Sequence, residues 1–509
     1  MGRIKHVARN IMFGYIGNII VNLLGFVLRT VFIATLGDTL LGVNGLYTGV
    51  LSILSLAELG IGTAMNYSLY APVATKDYEK IKSYMLLYKK AYLTIAGVVT
   101  AIGLLLAPFL RYIIKEPGEL TIRQLTIYYL IFLFNTVSTY FVAYKYSLVN
   151  AEQKNYIQTN ITALTQLVMV TVQVAILLLT KNFLYYLLAT SAVELIQKLF
   201  VSHYLNHLYP YLKEKEIQPL TEEDKQPIKS NIKALIYHKV GDAARLQTDN
   251  IIISTFLNVT MVGLVSNYNL VLMSVSGFLD IIFNSALSSF GNLIATEGRD
   301  RQYQLFKVYN FCAAWIYGFA TIGFWMLLSP FIEICWGSER VIGSAVITMI
   351  MLDYYCKGFR IVLYNFKTAA GIFEADKYLS LIQGAVNLVI SIVLVQRMGL
   401  IGIYIGTVIS GLLANLIKPY YIYRISFGRT AWAYHKQVCG YALVTLLSAG
   451  IVYWLGTVIM SQVTILTFIM MFLVITVVVN GIFFLFYHRS EEFKYLLTLI
   501  RQHTVRFFF

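Results

Sequence analysis

Charge is scarce in this sequence. Of 509 residues only 13% are Asp, Glu, Lys or Arg, about half the share found in soluble domains. Cysteine is scarcer still: Cys312, Cys335, Cys356 and Cys439 are too few and too dispersed for a disulfide scaffold. No CxxC or metal-ligand spacing occurs, so the four read as small apolar residues in helices. No GxxxxGKS/T loop is present, which excludes an ATP motor in this chain, and HExxH, GxSxG and any Ser/His/Asp constellation are missing as well. The seven histidines do not cluster into a ligand set. No catalytic residue, cofactor or metal is therefore expected, and the chain is read as a non-enzyme. Acids are also outnumbered, 25 against 40 Lys and Arg, for a net charge of +15. In a soluble chain that imbalance would point to nucleic acid or an acidic partner.

What the sequence has instead is apolar surface, at 58% of residues. A globular interior cannot hold that much, so hydrocarbon must solvate part of it, and an all-α polytopic membrane protein follows. A helix crosses the bilayer core with about 20 apolar residues. Fourteen such runs lie near 11–36, 42–70, 91–110, 124–144, 157–180, 183–205, 234–257, 262–294, 306–330, 342–372, 378–395, 400–421, 438–458 and 464–486. No cleavable signal is apparent, so the first run reads as a retained anchor. The longest connection, 206–233, is polar and reads as a solvated linker.

Lys and Arg gather on the cytoplasmic side of membrane proteins. With the N-terminus inside, 27 of them fall in inner connections and termini, six in outer ones (Arg111, Lys115, Arg123, Lys181, Arg340, Arg397) and seven within spans. The net charge divides as +13 inside, +1 outside and +1 within the membrane. The basic balance is topological and needs no nucleic acid, and both termini are expected in the cytoplasm.

The sequence also matches itself weakly at an offset of about 221 residues. Leu36, Thr39, Gly42 and Tyr47 fall on Leu257, Thr260, Gly263 and Tyr268, and Tyr88 falls on Tyr309. One residue further, Pro108, Glu152 and Tyr156 fall on Pro330, Glu374 and Tyr378. The expected organisation is an N-terminal lobe of six spans (1–205), the linker (206–233), a second six-span lobe (234–423), and two added spans with a cytoplasmic tail (424–509). Two parallel lobes with a cleft between them form a transporter architecture, in which one lobe rocks against the other.

Ionisable residues inside the membrane cost several kcal/mol unless they meet a partner or water. Glu194 and Lys198, four apart, read as a self-neutralised pair. Lys239, Asp242, Arg245 and Asp249 place one charged stripe on span 7, and Asp353, Lys357, Arg360 and Lys367 another on span 10. Arg29 lies deep in span 1, while Glu58 and Asp280 take near-equivalent mid-depth places in the two lobes. Two readings stand side by side. In one, Arg29, Arg245 and Arg360 pair with Glu58, Asp249 or Asp353; in the other they line a cationic cleft that receives an anionic headgroup, whose phosphate suits the guanidinium fork. Lys367 reads as snorkelling from its span end. Gly402 and Gly406 form a GxxxG, a helix-packing motif. The 38 Tyr and 31 Phe include interfacial belts.

RTVFIATLG (29–37) followed by LAELGIGTA (56–64) resembles the opening hairpin of the polysaccharide flippase family. DNIIISTFLNVTMVG (249–263) is similar to its span-7 pattern. GIFEADKY (371–378), AVNLVISIVL (385–394) and GLIGIYIGTVIS (399–410) are similar to its spans 11 and 12. That family belongs to a superfamily with multidrug exporters and the lipid II flippase. The resemblance implies flipping of undecaprenyl-pyrophosphate-linked O-antigen or capsule repeat units from the inner to the outer leaflet of the bacterial cytoplasmic membrane by alternating access. Its implied partners are the lipid-linked oligosaccharide, membrane lipids, a coupling H+ or Na+, and the polymerase and glycosyltransferases of the pathway. Arg29, Glu58, Arg245 and Asp249 match the family's cleft residues by position and type. Lys357 and Arg360 join them as substrate-binding candidates on the helix-face argument, and Asp280 joins the coupling or cleft acids. An exporter of drugs or other lipids, using Glu58, Asp249 and Asp280 to hold a cation, is the alternative.

Overall fold

The computed structural model describes residues 2–498 apart from 59–60, 153, 215–216, 223, 227, 229–239, 246, 373–374 and 377. Part of the expected linker, the start of the expected seventh span with Lys239, and the tail bases Arg501 and Arg506 lie outside these residues. Among the described residues the regular structure is wholly helical, in two compact units, Met1–Ser266 and Asn267–Phe509. Eleven of the described helices are long and apolar enough to cross a membrane.

In the first unit, α1 (Gly2–Leu54) counts 53 residues. At 1.5 Å per residue that is about 80 Å, far beyond a hydrocarbon core of about 30 Å. Gly37 divides it, with φ 78° and ψ 179° in a region where a side chain is strained. The break falls between the expected spans 1 and 2. The expected run 42–70 is itself broken: helix ends at Leu54, a 3-10 turn spans Ser55–Glu58, and α2 (Ile61–Thr75) follows. A hydropathy window reads through such a turn because its residues stay apolar on either side of Glu58.

Helices α3 (Tyr78–Leu106), the single turn α4 (Leu110–Ile113), α5 (Ile122–Ala151), α6 (Asn155–Thr180) and α7 (Phe183–Leu208) complete the N-terminal part. Asp77, Thr121 and Asn182 cap α3, α5 and α7 by accepting from otherwise unmet N–H groups. Tyrosines hold the interior as well as any interfacial belt. Tyr47, Tyr88 and Tyr129 are wholly buried, and each donates its hydroxyl to a backbone carbonyl, of Leu125, Met65 and Gly103, at 2.8–3.0 Å. Past α7 the chain returns to α3, where Lys80 pairs with Asp224 at 2.7 Å. The hydrogen bonds from Lys80 and then Thr221 hold the Asp224 carboxyl below its ordinary range. That contribution is present above an unfolded pKa of about 3.9 and fades as pH falls through the lowered value. Its exposed setting keeps it small.

The short α8 (Asp249–Phe256) and the start of α9 (Val259–Thr296) close the unit. Here α9 crosses the second part of α1 backbone to backbone. A Cβ on Gly42 would collide with the Val259 carbonyl, and one on Gly263 with the Asp38 carbonyl. Beside them Thr39 Oγ1 and Thr260 Oγ1 lie 3.0 Å apart. Two of the pairs that match at offset 221, Thr39 with Thr260 and Gly42 with Gly263, thus meet in space.

The second unit continues α9 and adds α10 (Arg299–Trp336), α11 (Ser344–Ala369), α12 (Leu379–Met398), α13 (Leu400–Ile422), α14 (Trp432–Ile459) and α15 (Ile465–Tyr487). Four charged residues, Asp353, Lys357, Arg360 and Lys367, make α11 less apolar than these helices, though it has their length. Gly399, at φ 61°, turns α12 into α13. A Cβ on Gly402 would sit 2.5 Å from Leu394 C, and one on Gly406 would meet Ser391 Oγ. The GxxxG is thus a packing seam, along which Gln383 donates to the Ser410 carbonyl and Asn387 to Thr407 Oγ1. Gly406→Leu should therefore lower stability by about 1–3 kcal/mol, from overpacking, read as an earlier melting transition in detergent. Wild-type melting would refute the close approach.

Helices α14 and α15 pack on α10 through Phe311, Ile322, Val452, Met471, Ile475 and Phe483. Their outer faces carry Leu446, Val458, Leu466 and Val477, each more than three-fifths exposed. Such faces suit hydrocarbon and not water.

Candidate functional site

Arg29 projects from the middle of α1, half-buried, and Nη1 lies 2.6 Å from Ser266 Oγ on α9. Ser266 sends its own proton to the Gly263 carbonyl at 2.7 Å, which turns its lone pair toward the guanidinium. Asp38 and Tyr186 are electrostatic neighbours. One turn away Phe32 packs edge-on against Tyr186 and Phe183, so Arg29 stands beside an aromatic group.

Glu58 ends the 3-10 turn, where Oε1 accepts from Tyr92 at 2.7 Å. Tyr140 packs on Tyr92 at 6.1 Å, and a Cβ on Gly62 would come within 3.1 Å of both Glu58 Oε1 and Tyr92 Oη. The structure therefore gives Glu58 a tyrosine where the pairing reading offered Arg29. Loss of this carboxylate hydrogen bond in Tyr92→Phe should cost about 1.5–3 kcal/mol, checked by chemical melting of the purified protein. A change under ~0.5 kcal/mol would show that the hydroxyl adds nothing.

The expected charged stripe of span 7 is not continuous. Asp242 and Arg245 lie on a helical stretch, 240–245, and a turn at 247–248 separates them from α8. Asp249 opens that helix, where the N-terminal dipole favours a carboxylate. The next residue, Asn250, donates to the Gly45 carbonyl.

In the second unit Asp280 on α9 accepts from Tyr317 at 3.4 Å and pairs with Lys357 at 3.3 Å. Both charged side chains remain about a third exposed. Lys357 lies 6.0 Å from the centre of the Tyr354 ring, whose hydroxyl accepts from Ser276. Gly358 presses its backbone on Tyr317, where a Cβ would fall 2.5 Å from Cγ. The two mid-depth acids thus share one arrangement, each accepting from a tyrosine of a later helix, Tyr92 of α3 and Tyr317 of α10.

Arg360 pairs with Asp353 along α11 at 2.9 Å, through Nη2. Its Nη1 is buried with no hydrogen-bond partner. Lys367 departs from the snorkelling expected of it. It is buried and pairs with the equally buried Asp376 at 2.5 and 2.7 Å. The carboxylate nine residues on makes burial cheaper than reaching for water. Glu194 and Lys198 form the expected pair at 2.8 Å, with Lys198 also on the Asn135 carbonyl and Ser138.

Among the candidates the structure thus brings together Asp280 and Lys357 directly. Ser266, Tyr92, Tyr317 and Tyr354 complete these contacts and carry no motif. Tyr88 and Tyr309, matched in the repeat, were the nearest signal in sequence. Among the described residues no three His, Cys, Asp or Glu side chains are placed to hold a metal.

No family model matches the chain, and no curated protein does. Solved structures match it in fold. The lipid II flippase MurJ, in an inward closed conformation, matches with a TM-score of 0.66 at 13% identity, over 94% of this chain and 99% of that one. An inward-facing multidrug resistance MATE family transporter of the MOP superfamily matches at 0.57 and 16% identity, over 79% and 94%. A MOP superfamily transporter from Pyrococcus furiosus matches at 0.53 and 14% identity, over 81% and 94%. At such identities the likeness carries the fold alone. The chain has the fold of the MOP-superfamily transporters.

Proposed function

We propose that this chain is a flippase that carries an undecaprenyl-pyrophosphate-linked oligosaccharide repeat unit from the inner to the outer leaflet of a bacterial cytoplasmic membrane. The observation that carries the reading is coverage: the fold of a lipid II flippase spans 94% of the chain, whereas the drug-exporter fold leaves about a fifth outside. In-span cations support it. Arg29 brings a guanidinium to Ser266 within the membrane, and Arg360 keeps a buried N–H group without a hydrogen-bond partner. Pyrophosphate oxygens satisfy such donors well. Arg29, Arg245, Lys357 and Arg360 offer cations to the headgroup, while the prenyl tail stays in lipid. Halves 1–205 and 234–423 move in alternating access, and Glu58, Asp249 or Asp280 takes up the coupling H+ or Na+. Polymerase and glycosyltransferases act before and after the transfer.

The test is the sidedness of lipid-linked oligosaccharide in cells depleted of this chain, read with a membrane-impermeant sugar probe. Accumulation on the cytoplasmic leaflet, reversed by the wild-type chain, is expected. Normal outer exposure would overturn the reading. One observation favours the second reading, export of an amphipathic cation: Asp280 stands among Tyr317 and Tyr354, an acidic and aromatic setting that holds cations. Drug efflux lost in Asp280→Asn, with outer exposure normal, would select it.

A further inference from the structure

Four lysines among the described residues are buried: Lys82, Lys145, Lys198 and Lys367. Three of them meet a carboxylate. Lys82 holds Glu79 and Glu214, both at 2.6 Å, Lys198 holds Glu194 at 2.8 Å, and Lys367 holds Asp376 at 2.5 Å. Lys145, on α5, is the exception. Its Nζ lies 2.8 Å from Ser202 Oγ, 2.9 Å from Asn206 Oδ1 and 3.4 Å from the Ser202 carbonyl, all on α7 and all neutral. Its donors are met and its charge is not. A buried charge without a counterion is costly, so the arrangement lacks an anion.

A cavity of about 510 Å3 opens beside it, lined by Lys82, Lys89, Tyr144, Lys145, Asn206 and Glu214. Glu214 is turned to Lys82, and the exposed Lys89 adds a second cation to the lining. We infer that this cavity is an anion site for a phosphate group, separate from the in-span cations of the proposed transport path. Two ammonium groups act as point charges on phosphate oxygens, for which lysine serves without a planar fork. The cavity's residues lie at the ends of α3, α5 and α7 that charge counting places at the cytoplasmic face. Basic pockets between spans on that side receive lipid headgroups. A phosphate there comes either from an anionic lipid or from solution.

The inference does not rest on the flippase reading, and its test needs no transport. Melting of the full chain in neutral detergent is measured with phosphatidylglycerol, with phosphatidylcholine, and with inorganic phosphate against matched chloride. A rise with phosphatidylglycerol and none with phosphate assigns a lipid headgroup, and a rise with phosphate assigns a soluble anion. In Lys145→Met and in Lys89→Ala the apparent Kd for that anion should rise about tenfold or more. Without added anion, Lys145→Met should melt no lower than wild type, because it removes an uncompensated charge. No stabilisation by either anion, or equal stabilisation in wild type and both variants, overturns the inference. If Lys145→Met fails to fold, Lys89→Ala decides, and an unchanged Kd there overturns it.

Discussion

Arg29→Ala is expected to leave lipid-linked oligosaccharide on the cytoplasmic leaflet while the protein inserts and melts as wild type does. The side chain sits half-buried in α1, its guanidinium 2.6 Å from Ser266. Truncation leaves behind a hydroxyl whose own proton already has the Gly263 carbonyl, so the local fold keeps that bond. The headgroup fares differently. A hydrogen bond to a charged partner is worth about 1.5–3 kcal/mol, or roughly 10- to 150-fold in binding. The loss falls on transport. Arg29→Lys should recover part of it, since the charge remains and the planar fork does not. The check pairs the impermeant sugar probe with melting of each variant. Full outer exposure in Arg29→Ala would remove Arg29 from the substrate path. Loss of transport together with early melting would reassign it to the fold.

Lys367→Met should unfold the second unit more readily than any other change considered above. Both Lys367 and Asp376 are 4% exposed, and the ammonium touches both carboxylate oxygens. Removing the cation leaves a buried carboxylate, at a cost of about 3–5 kcal/mol. Asp376→Leu should do similar harm from the other side. The double variant Lys367→Met/Asp376→Leu, with neither charge, should return close to wild-type melting, because packed apolar residues replace a buried pair with little loss. Coupling of this size, read from the four melting curves as a double-mutant cycle, is the expected result. Additive single losses would show that the pair acts through separate contacts.

Much of this fold was legible in the sequence, and what was legible shares a cause. Span positions, the Glu194–Lys198 pair and the Gly402/Gly406 seam follow from periodicity along one helix, which sequence displays directly. Partners supplied by another helix were hidden. Nothing in the spacing of Glu58 announces Tyr92, 34 residues on, and Lys367 looked solvent-bound because Asp376 lies beyond the end of its helix. The break at 247–248 was missed for a different reason. A polar turn between two helical stretches keeps the charge spacing of an unbroken helix, so a stripe of charges cannot reveal it. Lys145 was hidden in both ways: it reads as one more cytoplasmic lysine until the neutral groups around it are seen.

The crossing at Gly42 and Gly263 has a genealogical side. A contact between matched positions of two repeats is one that a half-length ancestor would have made with a second copy of itself. In such an ancestor one glycine codon would satisfy both sides of that contact. Here two codons 221 positions apart carry it, and the atoms in the way on either side are backbone carbonyls. A side chain gained at one glycine therefore finds no relief in any substitution at the other.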